Sequence, residues 1–209
     1  MTTTERAPRR DAIDNRAAIL DAARLLLNQD PDASLEAIAA AAGLSRRSLY
    51  GHFANRDELL RVLLDLGAVR VVDALASVSH ADPVVRLALI ASRLWGEVET
   101  VRVMALFAVR GPFKGHTATR LEPLRTRVRA AVEEGQSSGA LRVDLPADRL
   151  ARLVESAALA VLEESALSPL DAAAGHRLVM LNVLGTVGLG WREAGELIDA
   201  HPELDRKDG

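Results

Sequence analysis

Between Ser34 and Glu58 helix starts and helix stops follow one another so closely that only short helices fit. Ser34 can cap a helix whose apolar residues Leu35, Ile38, Ala39 and Ala42 recur at i, i+3, i+4 and i+7. Gly43 ends that helix by taking the left-handed conformation that suits glycine. Ser45 caps a second helix, in which Leu49 and Phe53 share a face at i, i+4 while Arg46, Arg47 and Tyr50 point elsewhere. Asn55 and Glu58 then supply a capping-box-like start for a longer helix reaching about Ala76. Two short helices across a tight glycine turn form a helix-turn-helix. That joint needs a small residue at Ala39, positive φ at Gly43, and apolar side chains at Ile38, Ala42, Leu44 and Leu49.

The remainder of the 209 residues is also helical in pattern, and no strand-like alternation bounded by hairpin turns stands out, so the expected class is all-α. Residues 1–10 carry Pro8 and three arginines (Arg6, Arg9, Arg10) without an apolar face and read as a flexible arm. A first helix over 11–28 places Ile13, Ile19, Leu20, Ala23, Leu26 and Leu27 on one stripe, and the run from Gln29 to Asp32 ends it. Ser79 to Pro83 breaks the pattern, which sets an N-terminal three-helix domain over 11–76 apart from a C-terminal helical domain over 77–190. Helical segments there fall near 83–96, 98–110, 118–138, 147–166 and 170–190, and 191–209 reads as a polar tail.

Composition narrows the functional classes. With 49% hydrophobic and 26% charged residues and a net charge of −3, the chain has the make-up of a soluble globular protein. The absence of Cys removes disulfide frameworks, thiolate zinc sites and Cys nucleophiles together. The N-terminal sixteen residues lack the apolar stretch of a secretory signal, and the 14 uncharged residues from Leu178 to Trp191 fall short of the ~20 needed to span a bilayer. The expectation is a cytoplasmic protein without a membrane partner. Five scattered histidines (His52, His80, His116, His176, His201) show no ligand spacing, so neither a metal nor another cofactor is expected. The glycines at 185, 188 and 190 follow no strand and read as close helix packing, and no nucleophile motif is present, so no enzymatic activity is expected.

The run LEAIAAAAGLSRRSLYGHFANRDELL, within Asn15 to Leu64, resembles the DNA-binding domain of TetR-family transcriptional regulators. The stretch from Tyr50 through His52, Phe53, Asn55, Arg56 and Glu58 to Leu60 is its most specific part. The resemblance covers roughly the first quarter of the chain. It implies a homodimer with an N-terminal three-helix reader and a helical C-terminal domain that binds a small molecule and controls release from a double-stranded DNA operator. Repression is what the family most often does. Departures are Gly51, where many relatives carry a bulky aromatic residue or His, and Arg56, which stands for the more frequent Lys.

Residue chemistry agrees with that role. Arg46 and Arg47, outward at the start of the second short helix, suit bidentate contact with guanine. Ser48 and Tyr50 offer hydroxyls to phosphate oxygens, and His52 suits either base or backbone. Ser34, Ser45 and Arg56 stand at helix N-termini, where free N–H groups favour phosphate; Ser34 and Arg56 read as a clamp on the backbone. The arm arginines could enter the minor groove. Residues 1–60 hold eight Arg against nine acids, so only Gly43 to Arg56, with three Arg and no acid, is locally basic. An ordinary solvated face remains the plain alternative for these arginines.

Segments 147–166 and 170–190 are apolar over much of their circumference, with Leu150, Leu153, Val154, Ala157, Ala160 and Val161 in one and Met180, Leu181, Leu184, Val187 and Gly188 in the other. They read as a dimer interface, with burial inside one protomer as the alternative. Trp95, Met104, Phe107, Phe113 and Trp191 supply candidate lining for a ligand cavity near 90–115, where core filling is the plain alternative. The mostly aliphatic lining fits a hydrophobic or amphipathic effector, oriented by Arg102, Arg110 or His116. Competing readings are an all-α ligand-binding or protein-interaction module without sequence-specific DNA binding and a helical small-molecule enzyme.

Overall fold

The computed structural model describes residues 6–168 and 170–205, with side chains from residue 11 onward. Ten α-helices and no strand occur among the described residues. They are α1 (Arg6–Gln29), α2 (Leu35–Ala41), α3 (Arg46–His52), α4 (Arg56–Ala76), α5 (Pro83–Val98), α6 (Arg102–Arg110), α7 (Lys114–Ser137), α8 (Ala147–Leu167), α9 (Ala172–Thr186) and α10 (Trp191–Ala200).

Local chemistry explains the boundaries. The Ser34 Oγ accepts from the Ala37 N–H at 3.1 Å, and the Ser45 Oγ accepts from the Ser48 N–H at 3.1 Å, so each short helix has a capped start. Asn55 Oδ1 accepts from the Glu58 N–H at 2.9 Å while the Glu58 carboxylate accepts from the Ala54 N–H at 2.8 Å, a reciprocal cap that starts α4. Gly43, at φ +68, makes the turn between α2 and α3, and the Leu44 N–H reaches back to the Ala39 carbonyl at 2.9 Å. Asp82 caps α5 with Pro83 in its first turn, and Asp171 caps α9.

Two hydrophobic clusters divide the interior. The first joins α1 to the start of α4 through Ile19, Ala23, Leu27, Ile38, Leu49, Phe53, Leu59 and Leu60. Leu49 and Phe53 are fully buried there, which fixes the orientation of α3. Truncating a buried Phe of this kind to Ala costs about 3–5 kcal/mol. The second cluster begins near Val71 on α4 and runs through α5, α7, α8, α9 and α10. α4 belongs to both and is the main covalent strut between them.

The structure departs from the sequence reading at both ends. α1 begins at Arg6, so residues 6–10 are the first turns of a helix rather than an arm. Residues 1–5 and the side chains of Arg6, Arg9 and Arg10 lie outside the described residues. At the other end, α9 stops at Thr186, and the supposed polar tail contains α10 and a 3-10 turn at Pro202–Leu204. Ala194, Ile198 and Leu204 are buried against the second cluster, so this segment is part of the fold. The Arg177 guanidinium on α9 pairs with Asp199 on α10 at 2.7 Å.

Candidate DNA-reading face and effector cavity

α3 is held by its buried face and presents the rest outward. Arg46 and Arg47 are exposed in its first turn, and Tyr50, 41% exposed, lies one turn on. Ser48 and His52 are half-buried at the flanks. These residues therefore share one accessible surface. Arg46 is not idle: its Nη2 lies 2.9 Å from Glu36 on α2, and its guanidinium sits 5.5 Å from the centre of the Tyr50 ring. Arg47 has no hydrogen-bond or ion-pair partner among the described residues.

Arg56 is engaged within its own domain: its Nε donates to the Ala33 carbonyl and its Nη2 to the Pro31 carbonyl, which ties the α1–α2 loop to α4 and leaves the Nη1 donors free. Sequence spacing gives no sign of this, because the acceptors lie 23 and 25 residues away. Ser34 and Ser45 keep exposed positions at the starts of α2 and α3, with their hydroxyls used as caps.

A cavity of about 370 Å³ opens between α1, α4, α5, α6, α7, α8 and α9. Its interior is apolar, with Leu87, Ile90, Leu94 and Val179 among the walls, and Trp95 and Met104 line it as expected. Phe107 and Phe113 do not. They lie against each other, 5.8 Å between ring centres, on the first hydrophobic cluster, because α6 packs one side on the reader domain and the other on the cavity. Trp191 is 74% exposed at the start of α10, outside the cavity.

The suggested orienting groups are committed elsewhere. Arg102 donates to the Glu99 and Ser165 carbonyls, Arg110 pairs with Glu163, and His116 lies 3.1 Å from Asp65 on α4. The charged lining comes instead from Asp21 and Arg24 of α1, Arg70 of α4, and α7 and α8, where Arg125 grips Glu155 through Nε and Nη2 at 2.9–3.2 Å. The Glu155 hydrogen bond holds the Arg125 guanidinium above its ordinary value, outweighing its partial burial.

Two links between the halves are not visible in the sequence. The Asn28 carboxamide at the end of α1 accepts from the Val103 N–H at 3.1 Å and donates to the Thr100 carbonyl at 3.0 Å. It thus caps α6, a cavity wall, from within the reader domain. The second link is Asp65 on α4, which meets His116 and, at 3.5 Å, Arg120 of α7. Buried His176 shares a 2.7 Å hydrogen bond with Ser92 in the second core. No group of three metal-ligating side chains occurs among the described residues, and no described helix is long and apolar enough to cross a membrane.

The α8–α9 face also differs from expectation. Leu150, Val154, Val161, Met180, Leu184 and Val187 are buried within the protomer. What remains accessible is Leu153, Ala157, Ala160 and Leu167 on α8, with Leu178 and Leu181 on α9.

Comparison with known proteins agrees with this geometry. Residues 19–63 match the family model described as bacterial regulatory proteins, tetR family. Over 69 residues the chain is 45% identical to the HTH-type transcriptional repressor LfrR of Mycolicibacterium smegmatis, a match that spans 32% of this chain and 34% of that protein. The chain therefore aligns with about a third of that curated relative. Among solved structures, the regulator FadR from Bacillus subtilis in complex with stearoyl-CoA is similar at TM-score 0.68 and 17% identity, covering 82% of this chain and 97% of that one. SmeT, the repressor of the Stenotrophomonas maltophilia multidrug efflux pump SmeDEF, is similar at TM-score 0.63 and 23% identity, covering 82% and 91%. At these identities the structural likeness shows a shared fold. Residues 19–63 thus carry a domain of the tetR family of bacterial regulatory proteins, and the chain as a whole shares the all-helical fold of these solved neighbours.

Proposed function

We propose that the chain is a dimeric, cytoplasmic repressor that binds a palindromic double-stranded DNA operator and leaves it when a small hydrophobic or amphipathic effector occupies the cavity. The observation that carries this reading is the exposed and unpartnered Arg47 at the first turn of α3, a helix fixed from behind by Leu49 and Phe53. A guanidinium so placed can reach guanine O6 and N7 in the major groove. Arg46, Ser48, Tyr50 and His52 share the same surface and supply further base and phosphate contacts. The fold neighbour bound to stearoyl-CoA and the repressor neighbour support an effector-responsive repressor.

A second copy fits the accessible face of α8 and α9. Leu153, Ala157, Ala160 and Leu167 lie along one side of α8, and Leu178 and Leu181 continue the patch on α9. Packing two such faces about a two-fold axis removes the apolar surface from water and sets two α3 helices on one side, as a palindromic site requires.

Control follows from the cavity walls. Leu20, Asp21 and Arg24 of α1 and Leu63, Leu64, Gly67, Ala68 and Val71 among others of α4 line the cavity, so an effector touches the reader domain itself. An effector that fits better when α1 and α4 are displaced lowers the population of dimers with correctly spaced readers. A coupling of about 1–3 kcal/mol is the usual size of such an effect. The test is a gel-shift with DNA upstream of the chain's own gene. The expected outcome is a saturable shift with two protomers per site, weakened by Tyr50→Ala. Binding by a monomer, or equal binding to unrelated DNA, contradicts it.

A further inference from the structure

The charged part of the cavity wall is uneven. Five arginines and three carboxylates line the cavity of a chain whose net charge is −3. On α8, Asp148, Arg152 and Glu155 fall at i, i+4 and i+7 and so share one face; on α7, Arg125 and Arg129 are separated by one turn. Arg125 Nη2 lies 2.9 Å from Glu155 Oε1, and Arg129 Nε lies 2.9 Å from Asp148 Oδ1. Arg152 sits between those two paired rungs. It is exposed and has no carboxylate within ion-pair distance among the described residues. Glu122 adds a longer contact to Arg129 at 3.9 Å, so Arg152 is the one arginine of this ladder without an ion-pair carboxylate among the described residues.

Resting on the cavity as the effector site, we propose that the effector is an anionic amphiphile whose carboxylate or phosphate head pairs with Arg152 while its apolar body lies along α5 and α9. An anion placed there pairs with Arg152 without displacing the carboxylates that hold Arg125 and Arg129. An ammonium head at this place would have to compete for Glu155 or Asp148, which Arg125 and Arg129 already hold; the third lining carboxylate, Asp21, lies on α1. A neutral head of the same length gains only the apolar burial.

Trp95 lines the cavity, and Trp191, the only other tryptophan, is exposed outside it. In the Trp191→Phe chain, tryptophan emission therefore reports occupancy. The experiment titrates that chain with decanoate, decyl phosphate, decanol and decylamine below their micellar concentrations. At an exposed guanidinium an ion pair is worth about 0.2–1 kcal/mol, which corresponds to anions binding up to about fivefold tighter than the alcohol and the amine. Arg152→Ala should erase that preference and leave decanol binding unchanged, while Arg152→Lys should retain part of it. The unchanged decanol affinity shows that the variant is folded, and the decanoate and decyl phosphate arms distinguish a carboxylate from a phosphate head. Decylamine or decanol binding as tightly as the anions, or an anion preference that survives Arg152→Ala, overturns the proposal. If none of the four compounds alters Trp95 emission, the effector-cavity reading falls with it.

Discussion

Asn28→Ala tests how the reader is joined to the cavity. The Asn28 side chain makes two hydrogen bonds across the junction, to the Val103 N–H at 3.1 Å and to the Thr100 carbonyl at 3.0 Å. Each such bond contributes about 0.5–1.5 kcal/mol net, and losing both should cost about 2 kcal/mol, since the first-turn N–H of α6 then loses its cap. For a chain of this size 1 kcal/mol moves Tm by roughly 2–4 °C, so Tm should fall by roughly 4–8 °C. Circular dichroism melting measures it, with Gln29→Ala, an exposed neighbour, as the control expected to melt like the parent. Operator affinity at low temperature should change little, because α3 rests on Leu49 and Phe53 rather than on Asn28. The effector concentration needed to release DNA should change, because the link between α6 and α1 is cut. A Tm equal to that of the parent would refute the reasoning, since it would mean that water replaces both partners at no cost.

Other consequences can be checked separately. Glu36→Gln removes the exposed acid that holds Arg46, an exposed pair worth about 0.2–1 kcal/mol, and should tighten operator binding by up to about fivefold per reader in fluorescence anisotropy; weaker binding would show that Glu36 pre-orients Arg46. Gly43→Ala meets no atom within 4 Å, so its cost is the backbone cost of φ +68 alone, about 1–2 kcal/mol, read as a lower denaturant midpoint. A parent-like midpoint would contradict the turn geometry. Asp199 is held below its ordinary value of 3.8 by the hydrogen bond from Arg177. The stability it contributes is therefore present above the unfolded value and lost as pH falls through the lowered folded value. Asp199→Asn should flatten the acid limb of the stability profile between the unfolded and the lowered folded values; an unchanged limb would show that the pair holds nothing.

The reader was legible because its signals are local. Ser34, Ser45, Asn55 and Gly43 each act within three residues of themselves, and the structure shows all three caps and the positive φ. The helical segments after Pro83 were legible by periodicity for the same reason. What escaped sequence reading depends on distant partners. Arg56 looks like a free cation until the Pro31 and Ala33 carbonyls are in place, and Asn28 shows no partner within 70 residues. Phe107 and Phe113 were misassigned because a helix buried on two sides has the same composition whichever core it faces. α10 does carry a local signal, Ala194, Leu197 and Ile198 at i, i+3 and i+4, which the polar composition of 191–209 taken as a whole conceals.

The central claim is that the exposed surface of α3 reads a duplex. Fluorescence anisotropy of the parent and Arg47→Ala chains, on the operator and on variants with each base pair replaced, measures it most directly. The account predicts a loss of about 1–3 kcal/mol per reader for Arg47→Ala, together with relaxed discrimination at one base pair in each half-site. Equal affinity and equal sequence preference in the two chains would contradict it.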